Sequence, residues 1–329
     1  MKETFLYALR AILPILLTIA AGYVVRRIGP WDQKFYKNLN KLSFHLFLPL
    51  NLFCNIYGIE DLSQTNWGLA GFLFAGIFAS MFLGIILTRF LIREQAQKGP
   101  MVQASFRSNQ AVLGLPLANA LGGQAAMGFA SIASAICVPM FNVLAVIVLT
   151  VYGGDTKTIH PRKLAGKILK NPLIVASIIA MLIVGLRQVG AVPAYFLRDS
   201  LPSVYKVLSD FGKVASPLML FVLGAGLDFK ATGHLLPQIS LGVLTRLVLS
   251  PALILGTALL FREPLGLTTL EMPTLVAMAA SPVAVSSSVM VQEIGGDDQF
   301  AGQLVVWSSV LSMVSIFIIT FILRTLGAL

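Results

Sequence analysis

The sequence predicts an all-α membrane protein of ten transmembrane helices, built as two inverted five-helix repeats in which helices four and nine are broken and cross. Three observations predict it. Of 329 residues, 57% are hydrophobic and only 12% charged, against roughly 25% charged in ordinary soluble domains. The apolar residues fall into long runs, and about 20 consecutive apolar residues span a hydrocarbon core roughly 30 Å thick. Short motifs recur at about half the chain length. Clear runs cover 5–25, 42–57, 67–91, 125–152, 172–186, 239–261 and 300–323. Three weaker ones, near 101–120, 202–229 and 270–294, are interrupted by Gly, Pro, Ser and single charges, which completes ten.

The charges set an expected orientation. Arg26, Arg27, Lys34, Lys37 and Lys41 follow the first run. Arg89, Arg93 and Lys98 follow the third, and the central loop holds Lys157, Arg162, Lys163, Lys167 and Lys170. The loops near Glu60–Asp61 and Gly122–Gly123 hold no Lys or Arg. Basic short loops stay cytoplasmic, so the central loop is expected inside and both termini outside, in a cell (plasma or inner) membrane. Arg187, Arg198 and Lys206 near the sixth loop fit this pattern less well. The net charge of +10 therefore reflects membrane topology and not nucleic acid. Cys54 and Cys137 both fall inside runs and read as isolated buried thiols. The first run is longer than a signal-peptide core and has a counterpart in the second half, so it is kept as a span.

The repeat rests on two matches. Pro49-Leu-Asn-Leu-Phe53 pairs with Pro217-Leu-Met-Leu-Phe221 at an offset of 168, and Gly122-Gly123 with Gly295-Gly296 at 173. Five spans per repeat make the halves inverted, an arrangement that places sites at the repeat interface, on the interrupted segments. The expected divisions are 1–152, a cytoplasmic linker 153–171, and 172–329.

Those interrupted segments read Ser105-Phe-Arg-Ser-Asn-Gln-Ala-Val-Leu-Gly-Leu-Pro-Leu117 and Met278-Ala-Ala-Ser-Pro-Val-Ala-Val-Ser-Ser-Ser-Val-Met290. Pro282 has no N–H and clashes with the preceding turn, so a continuous helix is disfavoured there. Proline suits the first position of a new helix, with Ser281 as its N-cap. Ser108 and Asn109 are likewise cap-forming residues. Two half-helix N-termini aimed at one point would offer N–H donors and about half a positive charge each, which attracts carboxylates. A simple proline kink with Ser and Asn serving helix packing is the alternative.

Ionisable residues inside spans mark function by default. They are Arg10, His45, Arg107, Lys213 and Arg246. Arg107 stands two residues before Asn109, with snorkelling or capping as its plainer role. Lys213 lies one turn before Pro217, in the repeat-related break of span seven, with pairing to Asp210 as its alternative. His45 could carry a coupled proton or be a satisfied buried histidine. Arg246 and Arg10 read as structural or interfacial. No Asp or Glu occurs within 101–120 or 272–292, which speaks against a sodium/proton antiporter and for an anionic or neutral substrate, although Glu293 stands just beyond. There is no phosphate-binding G-x-x-x-x-G-K-[ST] loop, no metal-ligand spacing and no nucleophile elbow. Asp210-Phe-Gly212 lacks every other kinase element, and His160 has no partner in view. An enzyme, a cofactor and a metal are not expected.

Asn109-Gln-Ala-Val-Leu-Gly-Leu-Pro116 with Gly122-Gly123, Phe47-Leu-Pro-Leu-Asn-Leu-Phe53, Asn171-Pro172, Pro217 through Leu227 and Ser281-Pro282 together resemble the auxin efflux carrier family in its short prokaryotic form. The resemblance covers nearly the whole chain. It implies spans four and nine crossing at Asn109 and Pro282. It also implies a scaffold of spans one, two, six and seven that pairs two protomers as a homodimer. Spans three to five and eight to ten would move against that scaffold as an elevator. Ser108 stands where plant members often have proline, and the central loop lacks their long hydrophilic insert, so auxin itself is not implied.

The expected function is secondary transport of small organic anions, mono- or dicarboxylates, by elevator-type alternating access. Asn109, Ser108, Gln110, Ser281 and Pro282 would form the polar floor, Arg107 or Lys213 the counter-charge, and Asn51 a gate or ligand. Proton or sodium coupling is open, with His45 the proton candidate. The rivals are a sodium-coupled organic-anion carrier of the bile-acid type and a sensor that binds an anion without moving it.

Overall fold

The computed structural model describes residues 2–59, 67–153, 165–166, 168–193, 195–264, 267 and 271–329. Glu60 and Asp61, most of the linker 153–171 with Lys157, His160, Arg162, Lys163 and Lys167, and the Arg10 side chain lie outside the described residues.

Among the described residues all regular structure is helical, apart from one isolated antiparallel bridge between Ser108 and Val283. The chain opens with α1 (Lys2–Ile28). Asp32 then caps α2 (Gln33–Leu42), its carboxylate accepting from the Phe35 amide at 2.8 Å. This helix runs through a π-helical turn (Ser43–Phe47) into α3 (Leu48–Tyr57). The basic residues Lys34, Lys37 and Lys41, read as a loop from sequence, thus sit on a helix. Next come α4 (Trp67–Leu91), α5 (Gln95–Phe106), a second π-turn (Gln110–Gly114) and α6 (Leu115–Gly153). The loop expected at Gly122–Gly123 is only a kink: Gly123 takes φ 69°, ψ −163° and turns the chain within α6.

The second half begins with α7 (Pro172–Gln188), where Asn171 accepts from the Leu173 amide at 3.0 Å and Pro172 occupies the first turn. It continues with α8 (Phe196–Ser200), α9 (Pro202–Gly226) and α10 (Phe229–Leu244). A third π-turn (Thr245–Leu249) leads into α11 (Ser250–Leu260), followed by α12 (Met272–Ala280), α13 (Ser286–Ile294) and α14 (Asp298–Thr325). Gly295 and Gly296, at φ 129° and 132°, turn the chain between the last two.

Among the described residues five helices are each long and apolar enough to cross a membrane: 67–91, 112–153, 202–226, 233–260 and 298–325. Pro172–Gln188 is apolar but shorter. Of the ten expected runs, those at 101–120 and 270–294 are each interrupted, and the one at 172–186 forms that shorter helix. One expected break is absent: α9 continues through Pro217 without interruption, so Lys213 does not stand at a helix break.

The helices pack in two groups. In one, α1 lies along α9, and α3 packs on both α7 and α9. In the other, α6 packs on α5 and α12, α4 on α5, and α14 on α10 and α13. The α14 helix also runs against α1. The α1–α9 crossing depends on two glycines, because a Cβ on Gly22 would strike the Phe221 carbonyl oxygen and one on Gly224 the Ile19 carbonyl oxygen. Small residues let helix backbones approach this closely in a membrane. We expect Gly224→Val to cost about 1–3 kcal/mol or more by overpacking, seen as a lower unfolding temperature in detergent. An unchanged temperature would mean the helices part without loss.

Candidate functional site

Two helix breaks build the site. The first α-helical half, α5, ends at Phe106, and Arg107 (ψ 98°) and Asn109 (ψ 45°) leave the helix. The second, α12, ends at Ala280, where Ser281 turns extended with φ −63° and ψ 143°. The following proline disfavours a helical Ser281, which accounts for that ψ. The two links then pair. The Asn109 amide donates to the Pro282 carbonyl at 2.8 Å, and the Ala284 amide to the Arg107 carbonyl at 3.2 Å. The Val283 amide donates to the Ser308 hydroxyl at 3.1 Å. Backbone groups freed by each break thus find buried partners, as they must away from water.

This pairing corrects one expectation. Ser281 does not cap a new helix; its hydroxyl donates back to the Ala277 carbonyl at 2.5 Å, and Pro282 lies in the extended link. The helix resumes only at Ser286, because residues 282–284 are held extended by the pairing with 107–109.

Two arginines flank the breaks, and both are almost wholly buried, Arg107 at 3% and Arg246 at 1% exposure. Arg246, in the π-turn of 245–249, donates to the carbonyls of Ser281 (2.8 Å), Met278 (2.8 Å), Ala279 (2.9 Å) and Ser105 (3.3 Å). The Ser250 hydroxyl also donates to Ser105 O at 2.8 Å. These carbonyls close the C-terminal ends of α5 and α12. A helix C-terminus carries about half a negative charge, so one guanidinium balances two such ends.

Arg107 has the opposite setting. It donates to the Asn142 side-chain oxygen at 2.5 Å and to the Ser287 hydroxyl at 3.3 Å. Both partners are neutral, and Ser287 lies in the first turn of α13, the positive end of that helix. Next along the chain, the Ser108 hydroxyl, the Asn109 side-chain nitrogen Nδ2 and both side-chain amide atoms of Gln110 are buried with no hydrogen-bond partner among the described residues. Arg107 and its neighbours therefore combine positive charge with unsatisfied polar groups, whereas Arg246 is matched by helix-end carbonyls.

Two clefts open beside the helices that carry the breaks, one against α6 and the other against α13. A cleft of about 720 Å³ is lined by Asn51, Asn55, Arg198, Tyr205, Lys213 and Leu115, among others. Asn51 donates to the Gly212 carbonyl at 3.0 Å and accepts from Asn55 at 3.0 Å. Lys213 is well exposed there and stands 3.5 Å from Asp210. Arg198 donates to the Tyr205 hydroxyl at 3.2 Å, which raises its pKa above the ordinary arginine value. Cys54 also lines this cleft, and Cys137 is buried; both thiols are free. The other cleft, about 690 Å³, is lined by three cations, Arg26, Arg27 and Lys37, two carboxylates, Asp228 and Asp298, and Asn40, Ser288 and Gln292, among others.

The fold thus gathers Arg107, Ser108, Asn109, Gln110, Ser281 and Pro282 at the breaks and sets Asn51 and Lys213 in a separate cleft. His45 is exposed on the π-turn of 43–47, with Nδ1 2.9 Å from the Lys41 carbonyl, and lines neither cleft. Sequence reasoning missed Asn142 and Ser287 and gave Arg246 only a vague structural place. A signal for Asn142 existed, since it is a lone amide within the long apolar run of 125–152.

Comparison with known proteins gives the family and the fold. The chain is 20% identical to an uncharacterized transporter of Methanothermobacter thermautotrophicus over 318 residues, 95% of this chain and 97% of that protein. Its fold matches the sodium proton antiporter MjNhaP1 of Methanocaldococcus jannaschii, solved at pH 8, with a TM-score of 0.62 at 11% identity. That match covers 92% of this chain and 91% of the antiporter. The membrane transport protein family matches residues 7–320. The chain therefore belongs to the membrane transport protein family, the auxin efflux carriers that its motifs resemble, and is a membrane transporter and not an enzyme.

Proposed function

We propose that this transporter carries small organic anions, mono- or dicarboxylates, by elevator-type alternating access. One observation carries the substrate class: Arg107 is a buried cation whose described partners are neutral, at the positive end of a half-helix. Burying such a charge without a counter-ion costs on the order of several kcal/mol, and an anionic substrate supplies the missing partner. Asn109, Ser108 and Gln110 then complete its polar contacts, with Ser281 and Pro282 shaping the link behind them. Lys213 and Asn51 draw the anion into the cleft that they line. The counter-charge is thus assigned to Arg107, while Lys213 serves approach.

The architecture read here is ten spans in two inverted halves, 1–152 and 172–329, joined by a cytoplasmic linker, with both termini outside the cell membrane. The interrupted helices α5–α6 and α12–α13 take the fourth place in each half and cross at the paired links. The α1–α3, α7 and α9 group is the scaffold, through which two protomers pair. The remaining helices form the moving body. The absence of Asp and Glu within 101–120 and 272–292 favours anions over the cations handled by an antiporter of like fold. Cation sites that exchange protons in membranes rely on such carboxylates.

A counterflow screen of organic acids in proteoliposomes tests the reading, with at least one mono- or dicarboxylate expected to exchange. Exchange of inorganic cations with no acid transported would overturn it. That neighbouring fold also motivates sodium coupling, so uptake is compared in Na⁺ and K⁺. A strict Na⁺ requirement selects the sodium-coupled form, and proton-driven uptake directs attention to His45. Tight acid binding with no exchange selects a sensor.

A further inference from the structure

Asn40 ends α2 and is 2% exposed. Its side-chain nitrogen donates to Glu293 Oε1 at 3.0 Å and to the Val289 carbonyl at 3.4 Å. These acceptors lie more than 240 residues away, 249 and 253 positions along the chain, on α13, the half-helix that begins just after the second break. One side chain therefore ties α2, in the α1–α3 group, to the moving half of the interrupted helix. A third tie lies nearby, where the Gln299 amide donates to the Gly226 carbonyl at 2.9 Å between α14 and α9.

The position of Asn40 matters as much as its bonds. It lines the basic cleft with Arg26 and Arg27, and Ser288 and Gln292 of α13 line the same cleft. Ser288 adjoins Ser287, the residue that accepts from Arg107 at 3.3 Å. The first turn of α13 thus joins the cleft wall at Ser288 to the Arg107 partner Ser287, and Asn40 fastens the same helix to α2 at Val289 and Glu293.

We propose that Asn40 gates the passage between the basic cleft and Arg107, its two hydrogen bonds to α13 holding the passage shut. The gate admits the anion of the transport reading and rests on it for what passes. Opening requires that α13 part from α2 and from the neighbouring π-turn and α9, and it exchanges an amide–carboxylate bond and an amide–carbonyl bond for water. A hydrogen bond to a charged acceptor is among the stronger neutral-to-ion contacts, so its loss shifts the closed–open balance measurably.

The test needs no substrate. In a Cys54→Ala, Cys137→Ala background, Ser287→Cys reports access to the inner end of the passage. Ser131→Cys, on the other cleft, serves as the control. The protein is reconstituted in nanodiscs, and modification by a charged, water-soluble thiol reagent is timed. Asn40→Ala and Glu293→Ala are expected to speed Ser287→Cys labelling by about tenfold, as one charge-assisted bond is lost, with the control rate unchanged. Glu293→Gln keeps an acceptor oxygen and is expected to label more slowly than Glu293→Ala. Equal rates in the parent and Asn40→Ala would overturn the gate, and so would an equal rise at both reporters, which signals general loosening. Labelling that opens as expected while no acid is transported would leave the gate standing and remove the substrate reading.

Discussion

Replacing Arg107 with Gln is expected to lower organic-anion uptake in proteoliposomes by a hundredfold or more (about 3–5 kcal/mol, the usual effect of removing one partner of a buried ion pair) while leaving the protein at least as stable to heat. The two halves of this result have one cause. Among the described residues the Arg107 guanidinium donates to the Asn142 oxygen and the Ser287 hydroxyl, at the positive end of α13. A neutral side chain that still reaches those two groups removes a desolvated charge, and replacements of that kind are neutral or stabilising. Sites that sacrifice stability for function behave in this way. Uptake by initial rate and unfolding temperature in detergent, measured on the same preparation, check the pair. Wild-type uptake in the variant would remove Arg107 from the site. A fall in unfolding temperature would show that it holds the fold instead.

Arg246→Met is expected to give the opposite stability result, a loss of about 3 kcal/mol or more together with loss of uptake. Four carbonyls, of Ser105, Met278, Ala279 and Ser281, accept from this one guanidinium. Each buried acceptor left unpaired costs about 1–3 kcal/mol, and Ser250 can relieve only Ser105. Two helix C-termini would also face each other without a compensating charge. Arg246→Lys separates charge from geometry: an ammonium keeps the charge but lacks the planar fork that reaches both half-helices at once. An intermediate unfolding temperature is therefore expected for Lys. A Met variant as stable as the parent would show that the half-helices hold each other without the arginine.

The opposite signs for two arginines of equal burial illustrate how far the sequence reaches. Both stood out as charges in apolar runs. Arg107 was tied to the break by its place two residues before Asn109. The carbonyls that Arg246 serves lie up to 141 positions away, and no local pattern announces them. The Pro217 break expected from the repeat did not form, because α9 continues through that proline. Proline disfavours a continuous helix but does not forbid one when neighbours in the membrane satisfy the freed carbonyl. At Pro282 the same chemistry did produce a break, since residues 107–109, themselves out of the helix, were at hand to pair with it.

The sequence by itself determined what local chemistry controls. Its composition made the chain a membrane protein. The run lengths and their interruptions marked the long apolar helices at 67–91, 202–226, 233–260 and 298–325 and two of the breaks. Only the tertiary structure decided which arginine faces neutral partners and which clasps two helix ends. It also fixed that the helix resumes at Ser286 and that Asn40 reaches Glu293. Propensity and hydropathy act over a few residues along the chain, whereas burial and hydrogen-bond pairing are settled among residues that meet only once the helices pack.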